Sequence, residues 1–421
     1  MKGLSRNRWS CWWLALLTVL LAACVSRESI RISTSPPLPH SHLAAMQSIS
    51  PEEQKGIIYF GDSKRYEKRG VTVVLLKGDP YEIGYSRGVL LKNEIRDWVR
   101  DNLYMIKTQS WGTFLGETWM ISRAREVEQF IPQEYREELN GLSAGSGVDY
   151  DLLLMLNVLD TIGRQFGCTS VTVKDSDGKL LRSRNLDYKD LPLLRPWMLI
   201  MYQPTHGYAF ASVSSPGSIG VLTAMNEKGL TFGSHDISAS SKAWRGIPAG
   251  ILNRNIIQNA PSVKEVGEIL NQSLRCLPRM FMVANSNNAG IYEFDSKQLG
   301  YKGMNGDHLI LTNHTRVINI GSIYSNSLVR YHEAQSFLSH HGNNMDVKKL
   351  IDLNRCENIS WAYDSRWHNL HSAVFRPHTL DFWIAIDPPP ATRGRWAGFN
   401  LIKELHGVGA EPKAPIIPAM D

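Results

Sequence analysis

Cys168 is the side chain whose neighbours best suit it to nucleophilic chemistry. It follows Gly167 and opens an extended run, Cys168-Thr-Ser-Val-Thr-Val173. The run Arg184-Asn-Leu-Asp187 answers it across Asp175-Ser-Asp-Gly178, a hairpin signal between two apolar-alternating stretches. Folding about that turn puts the partner of Cys168 near residue 185, so a thiol, a guanidinium and a carboxylate are expected at one hairpin end. Arg184 there would lower the thiol pKa from its reference of about 8.5, because a nearby cation favours thiolate. Asp187 would orient a proton-carrying nitrogen. The Gly-Cys junction suggests a further step, self-cleavage of the Gly167–Cys168 bond by an N-to-S acyl shift. Cys168 would then be a new N-terminus, and its α-amine, with a reference pKa of about 7.7–8.0, would be the general base for its own thiol.

Other chemistries find less support. Gly141-Leu-Ser143-Ala-Gly145 spells the elbow of serine hydrolases, which needs a strand before it and a helix after it. A helix precedes it here, so a helix end closed by small residues is the simpler account, with Ser143 kept as an alternative nucleophile. His40, His42, His340, His341, His368, His371 and His378 come with no His-Glu-x-x-His pattern, and no metal or organic cofactor is expected. Gly145-Ser-Gly147 lacks the lysine of a phosphate loop, and no Cys-x-x-Cys pair exists.

The elements that must position these residues change in character along the chain. Residues 71–76 read as a strand, and 81–107, 113–130, 134–142 and 150–162 as helices with apolar residues at three-four spacing. After Gly167 short strands dominate, at 169–174, 180–186, 197–203, 208–214, 219–224 and 229–234. Helices at 247–258 and 262–273, strands at 279–285, 289–295 and 308–312, helices at 324–338 and 346–354, and strands at 371–376 and 380–386 follow. Such an order suggests two stacked sheets covered by helices on both faces. The apolar residues at 191–194 and 197–200 fit a core strand or the wall of an acyl pocket.

Residues 1–23 read as a leader, with a basic start at Lys2, Arg6 and Arg8 and an apolar stretch from Trp12 to Ala23 that is short for a membrane span. Leu21-Ala22-Ala23-Cys24 looks like a bacterial lipobox, which implies cleavage before Cys24 and lipidation of its sulfur. Val25 at the next position favours the outer membrane, facing the periplasm. Loss of the leader takes away three basic residues and lowers the formal charge from +6 to +3, with no footprint for nucleic acid. Residues 24–56, rich in Ser and Pro, read as a tether. An oxidising envelope permits a Cys276–Cys356 bridge, and two buried thiols are the equal alternative.

Five blocks together carry a resemblance. They are Cys168-Thr-Ser, Arg184-Asn-Leu-Asp187, Met225-Asn226-Glu-Lys-Gly-Leu230, Leu311-Thr-Asn313-His and Asn326-Ser-Leu-Val-Arg330-Tyr331, with Gly78-Asp-Pro-Tyr-Glu-Ile-Gly84-Tyr-Ser-Arg-Gly88 upstream. In this order they resemble the cysteine N-terminal-nucleophile (Ntn) hydrolases, in the acyl-coenzyme A:6-aminopenicillanic acid acyltransferase branch, with choloylglycine hydrolase and penicillin V acylase as distant cousins. The resemblance implies an α+β fold, a four-layer α/β/β/α sandwich with a helical prosegment at 57–167 and a catalytic chain at 168–421. It implies Cys168 as nucleophile and processing residue and Asp187 as holder of the free α-amine. Arg184 would be the guanidinium beside the thiol, Asn226 and Asn313 amide donors around the reacting carbonyl, and Arg330 the brace from a helix start. Phe166, before Gly167, departs from the pattern. The expected reaction is cleavage of a small N-acyl amide through an acyl-thioester. The envelope location favours hydrolysis over transfer from a cytosolic coenzyme A thioester. A binding lipoprotein that kept the fold without the chemistry is the alternative of another class.

Overall fold

The computed structural model of the chain describes residues 46–109, 114–159, 167–188, 195–237, 245–321, 323, 325–342, 344–360, 368–407 and 417–418. Cys24, Phe166 and residues 191–194 lie outside them. The strands in chain order are β1 Glu52–Gln54, β2 Ile57–Phe60, β3 Ser63–Lys68, β4 Val71–Gly78, β5 Gly167–Lys174, β6 Leu180–Tyr188, β7 Met198–Pro204, β8 Phe210–Ser214 and β9 Thr223–Asn226. They continue with β10 Thr231–Asp236, β11 Arg279–Ala284, β12 Ala289–Phe294, β13 Leu299–Gly303, β14 His308–Leu311, β15 His368–Arg376, β16 Asp381–Ile386 and β17 Ala397–Asn400. The helices are α1 Pro80–Leu90, α2 Lys92–Gln109, α3 Phe114–Glu128, α4 Gln133–Ser146, α5 Tyr150–Val158, α6 Ala249–Asn259 and α7 Val263–Gln272. After them come α8 Ser325–His341, α9 Val347–Arg355, α10 Glu357–Ser360 and α11 Leu401–His406.

Two sheets result. The first has eleven strands in the order β1-β2-β3-β4-β7-β8-β9-β10-β11-β12-β13, and the second six in the order β14-β5-β6-β15-β16-β17. Among the described strands β4 and β7 pair in parallel; the other strand pairs are antiparallel.

The period-two alternation of each strand sorts its side chains into layers. Val73 and Leu75 of β4 point into a core with Leu199, Met201 and Met225, where they meet Cys168, Leu186, Phe375, Phe382 and Phe399 of the second sheet. Val74 and Leu76 point the other way, onto Ile83, Trp98, Leu139, Leu153, Ile251 and Val266 of the helices. The outer face of the second sheet, with Val171, Val173, Leu181 and Trp383, packs on Ala334, Leu338, Leu350 and Ile359 of α8–α10. The order is therefore helix, sheet, sheet, helix, the α/β/β/α sandwich that the resemblance implies. With both faces covered, β5 and β6 are buried at every residue except Lys174.

Some expectations need correction. The segment before Cys168 is not only helical, because β1–β4 extend the first sheet. Within the expected tether, Met46 is buried and β1 pairs with β2. Glu-Glu-Gln of the edge strand β1 and Ser-Lys-Arg-Tyr-Glu-Lys of the internal strand β3 both lack the apolar alternation that reveals a strand. The helix expected over 81–107 is two helices broken at Leu91. Of the two alternatives held open for Cys276 and Cys356, the structure has free thiols, Cys276 buried and Cys356 half-buried; their sulfurs donate to Ile247 O and Asp352 O. Among the described residues no helix is long and apolar enough to cross a membrane.

Candidate active site

The β5–β6 hairpin closes over five residues rather than two. Lys174 pairs with Leu180, and the Asp175 carboxylate accepts the N–H groups of Asp177 and Lys179 at 3.0 and 2.8 Å. The register moves by one residue from the expected pairing, so Cys168 faces Leu186 and Gly167 faces Asp187. One residue of register exchanges the faces of a strand. Cys168, Ser170, Arg184 and Leu186 therefore look into the gap between the sheets. Thr169, Asn185 and Asp187 look toward the outer helices, where Arg330 of α8 donates to Thr169 Oγ1 and Asn185 to Asn354 O.

Cys168 is fully buried and held along its whole backbone. Its N–H donates to Asn313 Oδ1 at 2.7 Å, and its carbonyl accepts from Arg330 Nη1. Arg330 Nη2 donates to the same Asn313 oxygen at 2.8 Å, and Asn313 Nδ2 donates to Asp236 O at 2.8 Å. The Ser327 hydroxyl, from the first turn of α8, takes the Asn313 N–H at 2.7 Å. In this uncleaved chain Asn313 grips the Cys168 nitrogen; the expected role of donor to a reacting carbonyl is not what these bonds describe. The thiol lies 3.5 Å from Arg184 Nη2 and 3.6 Å from Ser234 O.

Burial dominates the electrostatics. It pushes the thiol up to about 11, although Arg184 pulls the other way. The lowered thiol expected beside Arg184 is thus not what this uncleaved chain holds, because desolvation outweighs one guanidinium. Burial also lifts the Asp187 carboxyl to about 7 against the pull of Arg330. Asp187 Oδ1 accepts from Asn369 Nδ2 at 2.8 Å, while Oδ2 has no hydrogen-bond partner among the described residues.

The structure thus brings together Gly167, Cys168, Arg184, Asp187, Asn313 and Arg330. Asn226 stands apart and its expected role is corrected. Its amide donates to Ile257 O and Ala260 O at the end of α6, and its oxygen takes the N–H groups of Lys228 and Leu230 in the β9–β10 turn. Those partners lie on the helix side of the first sheet, away from the thiol. Ser143 is inside α4 and donates to Val148 O at 2.6 Å, so no serine elbow forms. Asn369, which holds Asp187, was not foreseen; it sits in the polar first half of β15, beside His368, His371 and Ser372, where nothing in the sequence singles it out. Among the described residues no group of three or more His, Cys, Asp or Glu side chains is placed to hold a metal ion.

Two sheets faced on both sides by helices, with a strand opening at a Gly-Cys junction, define the Ntn-hydrolase fold class. The chain belongs to the acyl-coenzyme A:6-aminopenicillanic acid acyl-transferase family, whose family model matches residues 173–390. An uncharacterised protein of Archaeoglobus fulgidus is 27% identical over 250 residues, 51% of this chain and 41% of its own length. The acyl-coenzyme A:6-aminopenicillanic-acid-acyltransferase 40 kDa form of Emericella nidulans is 24% identical over 229 residues, 52% of this chain and 62% of its own. The N-acylethanolamine-hydrolyzing acid amidase ortholog of Caenorhabditis elegans superposes with a TM-score of 0.40 at 17% identity, over 50% of this chain and 93% of that one. The chain spans about half the length of the curated relatives it matches.

Proposed function

We propose that the chain is a self-processing cysteine amidohydrolase whose nucleophile is Cys168. The observation that carries this reading is the double grip on the Cys168 backbone, nitrogen to Asn313 and carbonyl to Arg330, with the thiol on Arg184. In the first reaction Sγ attacks the Gly167 carbonyl carbon. The S–H and the C–N bond to Cys168 break, the nitrogen takes up one proton while the thiol gives one up to replace it, and a thioester joins Gly167 to the sulfur. Asp187, cross-strand from Gly167 and protonated below about pH 7, is suited to supply that proton. Water then cleaves the thioester, which leaves a carboxylate on Gly167 and a free α-amine on Cys168.

In the second reaction the α-amine accepts the thiol proton, and the thiolate attacks the carbonyl of an N-acyl amide. The amine leaves with a proton, and water releases the acid. An amine in place of water would make the same thioester an intermediate of acyl transfer, which family membership also supports. Cys24 carries the lipid that holds the enzyme in the bacterial envelope, on the strength of Leu21-Ala22-Ala23-Cys24.

The test is N-terminal sequencing of the purified protein together with a screen over N-acyl amides. A fragment that starts Cys-Thr-Ser-Val is expected, and its absence from an active preparation rules out the free-amine mechanism. Cys168→Ala should neither cleave nor turn over. Full activity in that variant defeats the reading.

A further inference from the structure

Glu293 of β12 is fully buried. It stands two residues after Ile291, which packs against Leu309 and Leu311 of the second sheet. Strand alternation therefore turns Glu293 toward the gap between the sheets as well. A carboxylate in such a place is costly unless it is paired or hydrogen-bonded. Among the described residues it makes no ion pair, and three successive backbone N–H groups hold it instead. Arg316 N–H donates to Oε1 at 2.7 Å, and the N–H groups of Val317 and Ile318 donate to Oε2 at 2.8 and 3.0 Å. Consecutive N–H groups that converge in this way form a nest for an anion. A glutamine is a poor replacement, because its amide nitrogen would meet N–H donors.

The nest belongs to the loop between β14 and α8. A second contact seats the same loop on the first sheet. Gly300 of β13 is the cross-strand partner of Glu293, and an added Cβ there would stand 2.7 Å from Ile318 Cγ2 and 2.8 Å from Val317 Cγ1. At its other end the loop is tied to the grip on Cys168. The Arg316 guanidinium lies over the Tyr331 ring of α8, 4.7 Å to its centroid, and the His314 ring meets Tyr331 edge-on at 5.6 Å. His314 Nδ1 is 2.8 Å from Ser327 Oγ, the oxygen that takes the Asn313 N–H. Asn313 then holds the Cys168 nitrogen, and Arg330, three residues after Ser327 on α8, holds its carbonyl. One end of this unit is fastened to the first sheet by Glu293; the other holds the nucleophile on the second.

We propose that Glu293 is a positioning residue for the reaction at Cys168, because its carboxylate fixes the loop that aims Asn313 at the Cys168 nitrogen. It touches neither the thiol nor the peptide bond to be cut, and acts through the path of the loop. The catalytic part of the proposal rests on Cys168 as nucleophile; the anchoring of the loop does not.

Self-cleavage of the freshly translated full chain, followed on a gel, gives a rate constant for which the chain supplies its own substrate. Glu293→Gln should lower that constant by about 10- to 100-fold, the range for a buried N–H left without its acceptor. The same substitution in an Asn313→Ala chain should have a much smaller effect, since residues that act through one network are not additive. A Glu293→Gln chain that unfolds at lower urea but cleaves at the parent rate marks a structural residue and overturns the proposal. So does an equal loss in both backgrounds. Gly300→Ala presses on Val317 and Ile318 without touching the carboxylate, and replaces Glu293→Gln as the test where that variant does not fold. It should slow cleavage in the same way, and a folded Gly300→Ala chain that cleaves as fast as the parent overturns the proposal. Hydrogen exchange reads the anchor without any chemistry. In an uncleaved Cys168→Ala chain, Glu293→Gln should speed exchange in residues 314–318 and at the amide of position 168, and leave β16 and β17 unchanged. Faster exchange confined to the loop overturns the proposal. Exchange that reaches position 168, in a protein whose parent chain neither cleaves itself nor turns over, upholds the anchor and discards the nucleophile.

Discussion

Cys168 and Asp187 bind their protons more tightly than usual for one reason: both are fully buried at the mouth of one hairpin, and desolvation outweighs the guanidiniums beside them. For Asp187 this has a thermodynamic sign. Its carboxyl is raised from the ordinary carboxylate range to about 7 in the folded, uncleaved chain. The neutral form is therefore favoured by folding. The stability it contributes is complete below about pH 4, the unfolded value, and is lost as pH rises through about 7. The buried His235 and His371, with charged forms disfavoured by burial, contribute the opposite sign over the same window, so the group is read by difference. In a Cys168→Ala background, which keeps the chain uncleaved, the stability in urea of the Asp187 protein minus that of Asp187→Asn should fall between pH 4 and pH 8 by on the order of a few kcal/mol. A difference that does not change with pH would mean that Asp187 is ionised in the uncleaved chain and paired in some other way. The residues of this cluster were legible by type, because Cys, Arg and Asp at one hairpin already imply nucleophile chemistry. Which of them share a face was not, since the five-residue turn moved the register and sent Asp187 to the far side of the sheet.

At the scale of elements, two short motifs turn out to be halves of one contact. Gly84 and Gly88 of α1 lie against Gly141 and Gly145 of α4. An added Cβ at Gly84 would meet Glu138 O at 1.9 Å, and one at Gly141 would meet Tyr81 O at 2.2 Å. The obstacles are backbone atoms, so no rotamer change relieves them. Gly84→Ala should cost at least about 1–3 kcal/mol as overpacking, read as a lower urea midpoint of the purified chain. A variant as stable as the parent would mean that the helices are not in backbone contact. The sequence around Gly141 could be read as a serine elbow only because its partner helix lies more than fifty residues away. The same limit explains other differences. α6, α7 and α9 fell close to their expected bounds because caps and apolar spacing are local signals, as at Ser262 and Asp346. β1–β3 escaped because their pairing comes from the sheet and not from their own side chains. Asn226 read as a site residue from block order alone, and its real partners are carbonyls of α6.

At the scale of the whole molecule, the residues before and after the Gly167–Cys168 bond share one sheet and one core. β4 runs parallel to β7 from Val73↔Leu199 to Gly78↔Pro204. Arg87 of α1, fully buried, donates to Pro216 O, Ser215 O and Tyr202 Oη at 2.6–2.7 Å. Glu138 of α4 forms a buried ion pair with Arg254 of α6 at 3.1 Å, and Arg254 lies over the Tyr202 ring at 4.0 Å to its centroid. Cutting one peptide bond touches none of these contacts. The two pieces should therefore remain one particle after self-cleavage and co-elute in size exclusion until they unfold together in urea. Glu138→Gln tests what holds them. Removing one partner of a buried pair leaves the other charge uncompensated, at a cost of about 3–5 kcal/mol, whereas a solvated pair is worth at most about 1 kcal/mol. The variant should thus lower the urea midpoint substantially and release the smaller piece at a denaturant concentration where the parent stays whole. If Glu138→Gln shifts the midpoint by no more than a surface substitution would, the ion pair is not what joins the pieces, and the β4–β7 pairing with the apolar core around it must carry the association.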